Sequence, residues 1–323
     1  MLRFMAGLKI IVCFLMFICT AQAQEPWPNK PVRILVGFPA GTSTDIIARV
    51  FGLRLSEQFK RPFVIENRPG LGGNLAAQAA AKAPADGYTF LMATVANTIS
   101  ASIFKNLGFD FEQDFMPVAR LASAPNVLVV GPSLQVNSVR ELIASAKTQP
   151  GRLFFGSAGV GTAPHLSGEL FNLMAGTKIV HVPYKGNAQG LVDLADGRLS
   201  LIFAPAPTLA AFIKDQRVKA LAVTSAKRSS FLPELPSLAE SGLTGFDTTL
   251  WYGLAASKGT PAEVIRAVGE AALRASEMAE IRTQLAHNGA EPFPASAEEF
   301  NRYIKDDIRK WAKVVEFAQV KPE

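Results

Sequence analysis

The stretch VRILVGFPAGTSTDIIARVFGLRL, residues 32–55, holds the reading on which the fold turns. An apolar strand signal runs to Phe38, and a helix is expected to begin near Thr44. Between them lies the turn Phe38-Pro39-Ala40-Gly41-Thr42-Ser43-Thr44-Asp45. Gly41 leaves the backbone amides unobstructed, and the first-turn amides of a helix sit where its dipole favours negative charge. The hydroxyls of Thr42, Ser43 and Thr44 each add an adaptable donor. Such a turn is an anion cradle. Asp45 then serves the helix terminus or a bound cationic group; the plainer reading makes Thr44 an N-cap and Asp45 a first-turn acid.

The same design recurs in FFGSAGVGTAPHLSGELF, residues 154–171. A strand over residues 153–155 runs into Ser157, Ala158, Gly159, Gly161 and Thr162, ahead of a helix whose apolar face is Leu166, Leu170 and Leu173, with His165 capping or lining it. The glycines do not follow the dinucleotide order G-x-G-x-x-G, and no P-loop lysine follows them. A carboxylate suits both turns better than a phosphate, because amides and hydroxyls satisfy its oxygens in charge-assisted bonds. Two further strand ends belong to the candidate rim. Tyr184 closes one strand and is followed by Lys185, which either supplies a positive charge or stands in solvent; Asn97 and Thr98 follow the strand TFLMAT.

Outward from these turns, short apolar runs at residues 32–38, 63–68, 88–94, 126–131, 152–158, 178–184, 199–204 and 218–225 alternate with helical patterns. That alternation predicts an α/β protein with parallel sheet. Helix starts are marked by Ser138 with Glu141, by Thr260 with Pro261 and Glu263, and by Ser296 with Glu299. The last helix carries Phe300, Ile304, Ile308, Trp311 and Val315 as one apolar stripe, so Trp311 is read as packing. No repeat, low-complexity tract or flexible linker interrupts the chain.

Residues 1–23 carry Arg3 and Lys9, an apolar run from Ile10 to Cys19 and then Ala21-Gln22-Ala23, the order of a cleaved secretory signal peptide. Ile18, just before Cys19, is not the small residue a lipid anchor requires. Cleavage removes both cysteines, Cys13 and Cys19, which excludes thiol and disulfide chemistry from the remainder. It also removes two positive charges, leaving +4 of the formal +6, scattered along the chain; this favours anions weakly and gives no ground for nucleic acid. With 49% hydrophobic residues, a chain this long buries an ordinary core and is expected to form two lobes. The three histidines, His165, His181 and His287, have no metal-ligand spacing, and no G-x-S-x-G elbow exists. Neither a metal, a cofactor nor a catalytic residue is expected.

The segments at residues 27–59, 64–94, 156–171, 180–186 and 221–242 and the final KWAKVVE resemble the tripartite tricarboxylate transporter receptors, the Bordetella uptake gene (Bug) solute-binding proteins, over nearly all of the presumed mature chain. The resemblance implies a two-lobe, type II periplasmic-binding-protein fold that closes like a flytrap on a small carboxylate. Lobe 1 is expected over residues 24–122 and 225–323 and lobe 2 over 123–224, with crossings near Ala122 and Thr224. Carried onto this chain, the first gripping loop is Phe38, Ala40, Gly41, Thr42, Ser43, Thr44 and Asp45, and the second is Ser157, Ala158, Gly159, Gly161, Thr162 and His165. Relatives often place an acid or amide pair where this chain has Ala204-Pro205-Ala206-Pro207, so Ala204 marks a rim with no acid for an amino-acid ammonium. The implied partners are the large and small subunits of a membrane transporter, or a sensor domain. The protein itself is expected to be a periplasmic monomer. Dicarboxylate, aromatic acid, nicotinate-like acid and amino acid all stay open as ligands.

Overall fold

The computed structural model describes residues 27–320, apart from residues 105, 185, 186 and 231; the expected leader at 1–23 lies outside them. All eight apolar runs form strands, sorted into two sheets. The first sheet contains β1 (Val32–Val36), β2 (Phe63–Asn67), β3 (Thr89–Thr94), β4 (Phe115–Ala124), β10 (Leu250–Ser257) and β11 (Glu291–Ala295), in the order β11-β4-β10-β3-β1-β2. The second contains β5 (Asn126–Val130), β6 (Phe154–Ser157), β7 (Val180–Pro183), β8 (Leu201–Pro205) and β9 (Lys219–Val223), in the order β7-β6-β8-β5-β9.

The continuous apolar character of β1 has a packing cause. Val32, Ile34 and Val36 face α1 (Ser43–Phe59) through Ile47 and Phe51, while Leu35 faces the other way, toward Ala76 and Ala77 of α2 (Asn74–Ala81). A strand covered on both sides needs no polar alternation. The same holds for β3, all six of whose residues are buried. In the second sheet Val127 and Val129 of β5 face one core and Leu128 and Val130 another.

The expected parallel order is correct only in part. β1 pairs parallel with β2 and β3, and β6 with β7 and β8. The strands that carry the chain between sheets run against their neighbours: β10 is antiparallel to β3 and β4, and β5 to β8 and β9. The chain passes from β4 to β5 at Pro125 and returns over residues 224–249. The two passages are stitched together. Thr224 Oγ1 accepts from the Asn126 amide at 3.1 Å, the Thr224 amide donates to Asn126 O at 2.9 Å, and the Thr248 amide donates to Thr224 O at 2.9 Å.

Around the second sheet lie α4 (Val139–Thr148), α5 (Ala163–Ala175), α6 (Asn187–Ala195) and α7 (Ala206–Lys214); α3 (Val95–Ile103), α8 (Ala262–Glu277), α9 (Ala279–His287) and α10 (Ala297–Ala318) accompany the first. Ser138 and Ser296 cap α4 and α10 as expected. Thr260 does not cap α8. Its hydroxyl donates to Ser257 O, and the helix starts only after Pro261. Leu173 of α5 is also corrected: it is exposed, and Phe171 takes the buried position beside Leu166 and Leu170. Helix α10 packs against both α3 and α5, with Phe300, Ile304 and Trp311 buried, so one apolar cluster runs from one sheet's side of the molecule to the other's.

Candidate ligand-binding site

The two turns read from the sequence have one construction, repeated 120 residues apart. In the first, the N-cap Thr42 lies at φ −75° and ψ 161° after Gly41 at φ +82°; in the second, Thr162 lies at φ −76° and ψ 158° after Gly161 at φ +74°. Both glycines occupy the left-handed region that side chains disfavour, which is why the turns need them. Each threonine hydroxyl donates back into its own turn, Thr42 Oγ1 to Pro39 O at 2.8 Å and Thr162 Oγ1 to Gly159 O at 2.7 Å. Each threonine amide bonds the same carbonyl at 3.3 Å. These hydroxyl protons hold the turns, so Thr42 is not the free donor expected.

The remaining closure is made four residues downstream of each glycine. The Gly41 amide donates to Asp45 Oδ2 at 2.9 Å, and the Gly161 amide donates to His165 Nδ1 at 3.0 Å. Asp45 also accepts from Arg49 Nε and from Asn67 Nδ2, each at 2.9 Å. Burial pushes its carboxyl up, but these bonds outweigh that and hold it below the usual carboxylate range. Asp45 is therefore the internal strut of its turn, spent on protein partners. His165 is neutral: burial, and then the neighbouring His181, push it down to about 3. It stacks on His181 with centroids 3.9 Å apart, and burial pushes His181 down to about 4.

Ser157 is fully buried behind the second turn. Its Oγ lies 2.6 Å from His181 Nε2 and 3.1 Å from both the amide and the carbonyl of Gly159. A serine beside a histidine invites comparison with a nucleophile and its base, but this hydroxyl is enclosed and its bonds fix Gly159.

A cavity of about 500 Å³ separates the turns. Phe38 and Thr44 line it from the first turn, and Val160, Gly161, Thr162, Ala163 and Pro164 from the second. The first-turn amides of α1 and α5 have no acceptor within their helices, and Pro164 contributes none, which leaves more donors on the α1 side. Tyr252 closes the floor; burial pushes its phenol up to about 12, and the Ser43 hydroxyl is its partner. It stays protonated at any physiological pH. Among the described residues, no side chain that lines this cavity carries a charge.

The other expected residues are placed as follows. Ala40 and Gly41 are exposed, Ser43, Ala158 and Gly159 are half-buried, and none of the five lines the cavity. Asn97 and Thr98 face inward: Asn97 Oδ1 accepts from the Thr94 amide, and Thr98 Oγ1 donates to Val95 O and to Asp307 Oδ2. Tyr184 directs its hydroxyl to Asp193 at 2.8 Å, and Ala204 is sealed in the second sheet's core. Lys185 lies outside the described residues. Not expected from the sequence were Leu71, Gly72, Thr94, Val95, Ser100, Ile103 and Phe104, which line one wall. Thr94 ends β3 and Val95 opens α3, so the rule that ligands gather at strand C-termini was available to find them. A groove of about 590 Å³ beside the second sheet, lined by Pro132, Arg217 and Lys219 among others, includes no residue of either turn.

Among the described residues, no group of three or more His, Cys, Asp or Glu side chains is arranged to hold a metal, and no helix is long and apolar enough to cross a membrane. Over residues 47–319 the chain matches a family model described as the tripartite tricarboxylate transporter family receptor. It is 32% identical to BugT of Bordetella pertussis over 314 residues, which cover 95% of this chain and 96% of that protein. The R. palustris protein Rpa4515, solved with adipate, superposes with a TM-score of 0.78 at 38% identity, over 92% of this chain and 100% of that one. MatC of Rhodopseudomonas palustris, solved with bound malate, gives 0.73 at 27% identity, over 90% and 100%.

Proposed function

The chain belongs to the tripartite tricarboxylate transporter receptor family, and from that premise we propose that it captures a small carboxylate between its lobes and delivers it to the membrane subunits of such a transporter. Its fold is the two-lobe, type II arrangement of periplasmic binding proteins. The observation that carries the reading is the single cavity lined by two like-built turns, one from each sheet's side of the molecule.

The energetics follow from dividing the donors. A carboxylate buried without partners loses several kcal/mol of hydration, roughly, so either lobe alone holds it weakly. Closure brings the second set of amides. Each charged hydrogen bond contributes about 1.5 to 3 kcal/mol net, and three or four reach the roughly 8 kcal/mol of micromolar binding. The stitched passages at Asn126, Thr224 and Thr248 form the hinge in this account, with lobe 1 at residues 24–122 and 225–323 and lobe 2 at 123–224. A ligand that binds the closed form better shifts the open and closed populations, and the transporter reads that shift.

Export follows from the signal-like residues 1–23, and the protein works as a periplasmic monomer. It binds without turnover, since the Ser157 and His181 pair is committed to the second turn and both histidines are neutral. A thermal-shift screen of carboxylic acids on the mature chain tests the proposal. A true ligand at 100 times its dissociation constant adds about 2.7 kcal/mol of stability. No shift across aliphatic, aromatic and hydroxy acids overturns the reading.

A further inference from the structure

Resting on the carboxylate reading above, we propose that the preferred ligand has one charged end and an apolar body, and that a matched dicarboxylate binds less well. Three helix starts border the cavity, but that of α3 is capped from within, Thr94 Oγ1 accepting from the Ala96 amide and Asn97 Oδ1 from the Thr94 amide, so the free donors belong to α1 and α5. Away from them the wall is Leu71, Val95, Ile103, Phe104 and Leu250, and among the described lining residues no cation stands ready for a second carboxylate. The hydroxyls on that side are neutral: Ser100 Oγ accepts from the Asn74 carboxamide at 2.9 Å and Thr94 Oγ1 from the Ala96 amide at 3.3 Å, which leaves each a single neutral O–H to donate. A second carboxylate enclosed there exchanges its hydration for neutral hydroxyls alone, with neither a free helix start nor a cation.

Leu71 adds an independent observation. It lines the cavity, yet 64% of its surface is exposed, and its backbone lies at φ +49°. A bulky residue in the left-handed region is disfavoured, and a leucine in water gains nothing from burial. The fold holds the backbone, since Leu71 O accepts from the Asn74 carboxamide at 2.7 Å and Leu71 opens a short 3-10 turn, but it does not explain the exposed side chain, which lies outside the apolar clusters of the core. An apolar ligand body lying against Leu71 explains it: this backbone holds the side chain over the cavity, where the ligand covers it.

Titration calorimetry on the mature chain tests this with matched pairs, hexanoate against adipate and 4-methylbenzoate against terephthalate. The expected result is at least tenfold tighter binding of the monocarboxylate in each pair. Leu71→Lys, which supplies a cation at an exposed position, is expected to bring the ratio to unity or below. Leu71→Gly relieves the backbone, so its melting temperature should hold or rise while hexanoate affinity falls at least fivefold. Dicarboxylates binding as tightly as or more tightly than their partners overturn this inference and leave the carboxylate reading intact. Unchanged hexanoate affinity in Leu71→Gly overturns the role of Leu71. Failure of all four acids, together with silence in the wider acid screen, overturns both readings.

Discussion

The two turns share a backbone and differ in the residue that closes it. At the first, the Gly41 amide is held by a carboxylate, Asp45, neutralised by Arg49 and steadied by Asn67. At the second, the Gly161 amide is held by a neutral imidazole, His165, stacked on His181 and 3.7 Å from Glu169. The (i, i+4) pairs thus differ in kind, an acid followed by its cation in α1 and a neutral imidazole followed by an acid in α5. Backbone geometry and the identity of the closing group are separable. An anion cradle requires the glycine, the N-cap and the free amides, whereas the strut can be any acceptor that reaches back four residues. Neither strut adds net charge at the cavity: Asp45 is paired, and His165 is neutral.

The largest effect that separates the turns is expected at the struts. Asp45→Ala removes several charge-assisted bonds at once and should destabilise the protein by about 3 kcal/mol in urea unfolding, against about 1 kcal/mol for His165→Gln, which loses one neutral bond. Equal losses would mean that the struts are equivalent.

Next come the glycines. A Cβ at Gly161 falls 2.9 Å from Ile103 Cδ1 across the cleft, whereas at Gly41 nothing lies within 4 Å. Both alanine variants carry a left-handed penalty of about 1 to 2 kcal/mol. Only Gly161→Ala should also weaken carboxylate binding, by roughly tenfold or more, as about 1.4 kcal/mol of obstruction implies. Calorimetry that shows equal affinities for the two variants breaks the comparison.

The turns also differ in acid. An unfolded histidine titrates near 6.5, and burial holds His165 and His181 down to about 3 and about 4. Above about pH 6.5 these groups leave stability unchanged; below it the unfolded chain takes up protons that the folded chain refuses, so stability falls. Asp45 is held below its usual range, so its contribution stays intact until the pH drops beneath the ordinary carboxylate value near 4. Between pH 6.5 and 4.5 the second turn alone should weaken, and the double variant His165→Gln, His181→Asn should flatten that part of the melting-temperature profile. The smallest effect is at the caps: Thr42→Val and Thr162→Val each lose one hydroxyl to carbonyl bond, about 1 kcal/mol, and should match each other in thermal unfolding.

What the sequence revealed depended on whether the determinant was local. Eight strands and both turns were legible because apolar runs, a glycine and an N-cap act within a few residues. β4, β10 and β11 were not. Pro117 and Arg120 interrupt β4, Gly253 and small residues dilute β10, and β11 is an edge strand with Pro292 and Pro294, tolerated because an edge leaves amides unpaired. Their place is set by pairing with distant strands, which also produces the antiparallel order of the crossing segments. In the site, Gly41 and Gly161 were readable from their neighbours. That Asn97 turns inward to cap α3 and that Leu71 faces the cavity depend on packing between elements, beyond the reach of spacing. Asp45 was ambiguous until Arg49 and Asn67 were seen to take its charge.

The proposed binding mechanism rests on one carboxylate shared by both turns. A crystal structure of residues 24–323 grown with the acid that most raises their melting temperature tests this directly. The expected result is carboxylate oxygens within about 3.2 Å of first-turn amides from both α1 and α5, with the ligand body against Leu71. A carboxylate held by one turn alone, or seated in the groove beside Arg217 and Lys219, would contradict it.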